Sequence, residues 1–169
     1  MYSINPESRK RTVAALLAGG LLFAAACSRS HTVTTSEGKV TYQEKGKDAG
    51  TVTVTGKDGK TATLSFNQNK IPADYPKDVP IYGGAKVVMS QTVSEKNGRN
   101  LMLESSDAAD QIADYYKKEL DRNGWKTETT VATGGMHMLG ANKDQKQIVI
   151  QITDSGDKRS IMQVLSDKN

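Results

Sequence analysis

Apolar and polar positions alternate in twos over most of the chain beyond residue 38, and a single stretch switches to helical spacing. Val52 and Val54 share one face of 51–55, and Leu64 and Phe66 share one face of 61–66. With 39–45 these segments predict three short strands, and Asp58-Gly59 predicts the turn between the last two. Further on, 85–93 and 99–104 predict a hairpin turning at Asn97-Gly98. Ala109, Ile112, Ala113, Tyr116 and Leu120 then recur at three- and four-residue steps, which predicts one helix over 107–123. Ser106 or Asp107 suits its start, and Gly124 suits a left-handed stop after which Trp125 folds back on Leu120. Four more extended segments follow, at 126–133, 136–141, 147–153 and 160–165. In the third, Ile148, Ile150 and Ile152 mark a fully buried face. The expected fold is α+β: an antiparallel sheet with one main helix packed on one face, preceded by a small β-hairpin or meander module.

Pro72, Pro76 and Pro80 fall in one segment between the early strands and the later ones. Proline fixes φ and biases its predecessor to extended conformations, so 68–84 is expected to be a semi-rigid strap. Ile71, Tyr75, Val79, Ile81 and Tyr82 supply its apolar anchors. Tyr75 and Tyr82 have two readings, pinning the strap to the sheet or anchoring a partner. The organisation expected is a signal over 1–26, a lipidated tether over 27–35, a β module over 36–67, the strap over 68–84 and the α+β domain over 85–169.

The N-terminus carries a different pattern. Arg9, Lys10 and Arg11 precede an apolar run from Val13 to Ala26, and the chain's one cysteine follows as Cys27. A basic n-region, an apolar h-region and small residues before a cut site make a secretory signal. The cysteine directly after Ala24-Ala25-Ala26 resembles the lipobox-type signal of bacterial lipoproteins. That resemblance implies cleavage before Cys27 and acylation of its thiol. Ser28, where aspartate marks inner-membrane retention in that family, implies an outer-membrane anchor facing the periplasm. Ala24-x-Ala26 also fits an ordinary signal-peptidase cut, whereas 12–26 is short of the ~20 apolar residues of a membrane span.

Cleavage after Ala26 removes three of the 23 basic and one of the 19 acidic residues, leaving a net charge of +2. Mixed signs without a basic block give no case for nucleic acid. One cysteine excludes an intramolecular disulfide framework.

Val79-Pro-Ile-Tyr-Gly-Gly-Ala-Lys-Val87, Tyr115-Tyr-Lys-Lys-Glu-Leu120 and Asn123-Gly-Trp125 resemble a recurring domain of uncharacterised bacterial lipoproteins. The resemblance implies helix-on-sheet packing and no particular activity. Gly83 departs from its usual Pro-x-Tyr-Pro-Gly-Ala, where proline stands.

Candidate chemistry is thin. Met136-His137-Met138 has soft donors of the kind that hold Cu(I), but a strand points the two methionines to one side and His137 to the other. Core packing is the competing reading of those methionines. Asp107, Asp110 and Asp114 lie along one helical face but fall short of the 6–8 oxygens calcium takes. Two histidines remain beyond the signal, His31 and His137, and no serine or cysteine nucleophile stands in a recognisable motif with a base. The expectation is therefore a non-enzymatic envelope lipoprotein without cofactor, anchored in the membrane and acting on another envelope protein or in assembly. The alternative is a periplasmic carrier of a small ligand or copper.

Overall fold

The alternating segments pair into a single antiparallel sheet. The computed structural model describes residues 29–168. Its strands are β1 (Ser30–Thr35), β2 (Gly38–Glu44), β3 (Gly50–Gly56), β4 (Thr61–Phe66), β5 (Lys86–Val93), β6 (Gly98–Ser105), β7 (Lys126–Thr133), β8 (Met136–Lys143), β9 (Lys146–Ser155) and β10 (Lys158–Asp167). One helix, α1 (Ala109–Arg122), separates β6 from β7. The strand order is β1-β2-β3-β4-β5-β6-β10-β9-β8-β7, so the last strand made lies inside the sheet between β6 and β9.

Helix α1 and the strap cover one side. Leu101 and Leu103 of β6, Leu139 of β8, Ile148, Ile150 and Ile152 of β9 and Ile161 of β10 are buried beneath them. Ile112, Ala113, Tyr116 and Leu120 press down from the helix. Each large apolar side chain removed from water is worth about 1.5–3 kcal/mol. The helix ends in a Schellman motif: the Trp125 N–H donates to Leu120 O and the Gly124 N–H to Asp121 O, with Gly124 at φ +78°. Trp125 and Leu120 share the same buried cluster.

Three expectations change. Ser30–Thr35, read as tether, is strand β1, in register with β2 through Thr32–Thr41 and Val33–Val40. Threonine is a good strand former, and a partner strand satisfies its backbone. Second, the early strands do form a meander, but β4 pairs with β5 from Ala62–Val93 to Phe66–Met89, so they continue the main sheet. The strap leaves β4, crosses the helix side and returns to the adjacent strand. Third, the helix starts at Ala109 with Ala108 as its cap and no side-chain cap bond. Asp107 accepts from the Tyr82 hydroxyl at 2.6 Å instead.

Candidate functional site

The two sides of the sheet differ in kind. Period-two geometry puts Met102 opposite in direction to the buried Leu101 and Leu103, and Met162 opposite to the buried Ile161 and Gln163. Cross-strand register then carries one row over the uncovered side: Val131, Met138, Gln151, Met162, Met102, Met89 and Phe66 are successive direct partners. Directly opposed residues have Cβ atoms about 4.5–5.5 Å apart, which brings neighbouring side chains of this row within reach of one another. Two parallel rows flank it: one runs Val149, Val164, Asn100, Gln91, Leu64 and Val52, with the Asn100 amide donating to Gln91 Oε1 at 3.0 Å in its middle, and the other runs Val93, Ala62, Val54, Val40 and Val33.

No described element covers this side. Val33 is 60 % exposed, Val54 45 %, Val149 and Val164 39 % and Met162 38 %. In β1–β4 the apolar positions all take the uncovered side, and the helix side carries hydroxyls instead. Thr53 pairs with Thr63 at 3.4 Å and Thr51 with Ser65 at 3.2 Å. The charges of the uncovered side stand at strand ends, among them Lys86, Lys126 and the Lys158–Glu104 pair at 2.9 Å.

The helix side is closed by polar pins. Gln163, fully buried, donates to Pro80 O at 2.9 Å and to the Tyr116 hydroxyl at 3.0 Å, and accepts from the Tyr75 hydroxyl. Tyr82 stacks edge-on against Tyr115 at 5.1 Å, and Tyr115 donates to Ile81 O. The hydrogen bond to the Asp107 carboxylate, followed by burial, pushes the Tyr82 phenol up to about 12. Burial pushes Tyr75 and Tyr116 higher still. At the helix end, the Trp125 indole donates to Asp78 O, and Lys143 bridges Asp78 and Asn123 O, each at 2.9 Å.

The sequence candidates therefore separate. Tyr75 and Tyr82 are buried and pin the strap, so neither offers a ring to a partner. Met136 and Met138 lie half-buried on the uncovered side, outside the helix-covered core in which packing would place them. His137 points the other way, with its Nε2 3.2 Å from Asp110 Oδ1. The three residues do not converge on one ion. Asp110 faces His137, Asp114 pairs with Lys117 at 3.4 Å, and Asp107 is bound to Tyr82, so the acidic face is dispersed. Among the described residues no three His, Cys, Asp or Glu side chains gather as a metal site. Cys27 lies outside the described residues. No described helix is long and apolar enough to cross a membrane.

Sequence reasoning missed the face made by the methionines. Met89, Met102, Met138 and Met162 are far apart in the chain, and the register that aligns them runs through β10, whose central place no local pattern reveals. A smaller feature is a cleft of about 290 Å³ between the strap and β4–β5, lined by Gln68, Ile71, Pro72, Val87, Val88 and Ser90.

A family model described as START domain-like matches residues 87–159, from β5 to the start of β10 and short of half the chain. No curated protein and no solved structure matches the chain.

Proposed function

We propose that this chain is a non-enzymatic cell-envelope lipoprotein, held to the membrane through acylated Cys27, whose sheet binds another protein through its uncovered apolar side. One observation carries the reading: an apolar face extends over most of a ten-stranded sheet, and helix and strap both lie on the other side. Sheets apolar on both sides normally bury both. An exposed apolar patch larger than a few hundred Å² marks an interaction surface. The N-terminal anchor suits this arrangement, since β1 begins three residues after Cys27.

In-cell photocrosslinking of the full-length chain tests it. A benzophenone amino acid at Val149 on the uncovered side captures a protein partner, whereas one at Lys118 on the exposed helix surface does not. Absence of any protein adduct from the uncovered side overturns the reading. Cys27→Ala moves the protein from the membrane fraction to the soluble one or leaves it unprocessed, and an unmodified Cys27 at the mature N-terminus overturns the anchor.

A second reading, a small-ligand carrier, is supported by the START domain-like match and by the cleft under the strap. The cleft lies at the lower end of ligand-pocket volumes, about 300–1,000 Å³. Native mass spectrometry of protein purified without detergent supports the carrier if a stoichiometric adduct appears, and a bare chain mass counts against it.

A further inference from the structure

The uncovered side is neutral at its centre, broad and poor in aromatic rings, and those properties select among occupants. We propose that it pairs with the same side of a second copy of this chain, giving a face-to-face sheet dimer. This inference rests on the proposed reading of that side as a protein-binding surface.

Area supports the pairing. Ten strands spaced ~4.8 Å apart, and ~20 Å of strand length, make a face of roughly 950 Å². Two copies then remove up to about 1,900 Å², and about two-thirds of that already reaches the range of a stable specific interface, about 1,200–2,000 Å² in total. Charge supports it too. Homodimer interfaces are more apolar than transient ones and are depleted of charge at their centres. Here Met89, Met102, Met162 and Val164 surround an uncharged Asn100–Gln91 amide pair that is hydrogen-bonded within each copy, and the Lys158–Glu104 ion pair is likewise completed within each copy. No charge at the centre of one copy would meet a like charge of the other.

The methionine row fits self-association for a second reason. A two-fold axis makes the patch meet itself, so its shape has to be self-complementary. Unbranched, polarizable methionine side chains adapt to such a seam, and packed sheets stand about 10 Å apart. A bilayer is the weaker occupant. Surfaces that lie in a membrane interface draw on tryptophan and a basic polar face. The one tryptophan, Trp125, is buried on the opposite side, and Lys158 is already paired.

Sedimentation velocity on the chain from residue 27 onward, with Cys27→Ser to leave it free of lipid, tests the proposal. The expected result is a dimer at micromolar concentration. Met162→Glu and, independently, Val164→Lys each weaken it by at least about tenfold, because each places an unpaired charge in the seam. Both positions lie outside the helix-covered core, so the thermal unfolding midpoint of the diluted monomer shows that the fold persists. A wild-type chain that stays monomeric at 100 µM overturns the dimer, as does a dimer unaffected by both substitutions, which would place the contact elsewhere, such as the β1 edge. If the monomer still gives crosslinks from Val149 to a different envelope protein, only self-pairing fails; with no adduct at all, the protein-binding reading fails with it. A monomer that instead binds vesicles of phosphatidylethanolamine and phosphatidylglycerol through the uncovered side also overturns it, in favour of a lipid surface.

Discussion

The side-chain amide of Gln163 lies beneath the hydroxyl of Tyr75, 88 residues earlier in the chain, and the two close a hydrogen-bonded contact inside the core. Gln163 also holds Tyr116 and Pro80, so one polar side chain on the inner strand β10 ties strap, helix and sheet together. All of its polar atoms find partners, which makes its burial tolerable.

Replacing Gln163 with leucine strands the Tyr75 phenol and the Pro80 carbonyl in the core and leaves the Tyr116 hydroxyl only the Tyr82 N–H. Gln163→Leu is expected to cost about 2–3 kcal/mol and Tyr75→Phe about 1 kcal/mol, read as a shift of the urea midpoint at constant slope. A loss below about 0.5 kcal/mol for Gln163→Leu would mean that the network contributes little.

Gly124 is where the backbone takes φ +78°, and an added Cβ would meet nothing nearer than Lys143 Cε at 3.9 Å. The cost of a side chain there is conformational, without a clash. Gly124→Ala is expected to lose about 1 kcal/mol of stability and Gly124→Asn less, since asparagine tolerates the left-handed region. Equal thermal midpoints for Gly124→Ala and wild type would place the helix stop elsewhere.

Stability is expected to fall as pH rises above 10. Tyr82, Tyr75 and Tyr116 keep their protons in the folded state beyond the pH at which unfolded tyrosines release them. The folded state then holds more protons than the unfolded one, so raising the pH favours unfolding. Burial raises Tyr115 as well, so Tyr82→Phe removes one of four such contributions, and its stability is expected to decline less steeply between pH 10 and 12. An identical slope would rule Tyr82 out as a source.

Acid acts on a different group of the same strap. Burial works to raise the Asp78 carboxyl, but the hydrogen bond and charge of Lys143, with Lys146 beyond, outweigh it and hold the group below its ordinary 3.8. Its contribution is therefore complete above that value and disappears as pH falls through the lowered folded value. Lys143→Met is expected to cost about 1 kcal/mol at pH 7 and to flatten the stability profile below pH 4. A profile parallel to wild type in that window would contradict the coupling.

Local pattern revealed most of the elements. Ile148, Ile150 and Ile152 alternate strongly because one side of β9 is wholly buried, and the 109–120 spacing is helical because that face meets the sheet. Pairing across long gaps was hidden. The three prolines of the strap imply a boundary, yet Phe66 and Met89 are direct neighbours across it, because the strap loops over one side and returns. The uncovered side was hidden for a related reason. Alternation tells that Met136 and Met138 share a side, but only the position of α1 tells which side is covered. Gln163 gave no signal, since glutamine usually faces water and its partners lie 47 to 88 residues away.

The place of β10 also governs how the molecule can be made. The meander β1–β6 and the hairpins of β7–β9 have no sheet contact with one another except through the final strand. Until the last ten or so residues are available, Leu101 and Leu103 on one flank and Ile148, Ile150 and Ile152 on the other lack the strand that joins them. Such long-range closure is slow, because loop entropy is lost before the contacts that repay it form. The two flanks of the sheet thus stay apart until β10 has been made. That makes β10 the strand that commits the chain to its native form.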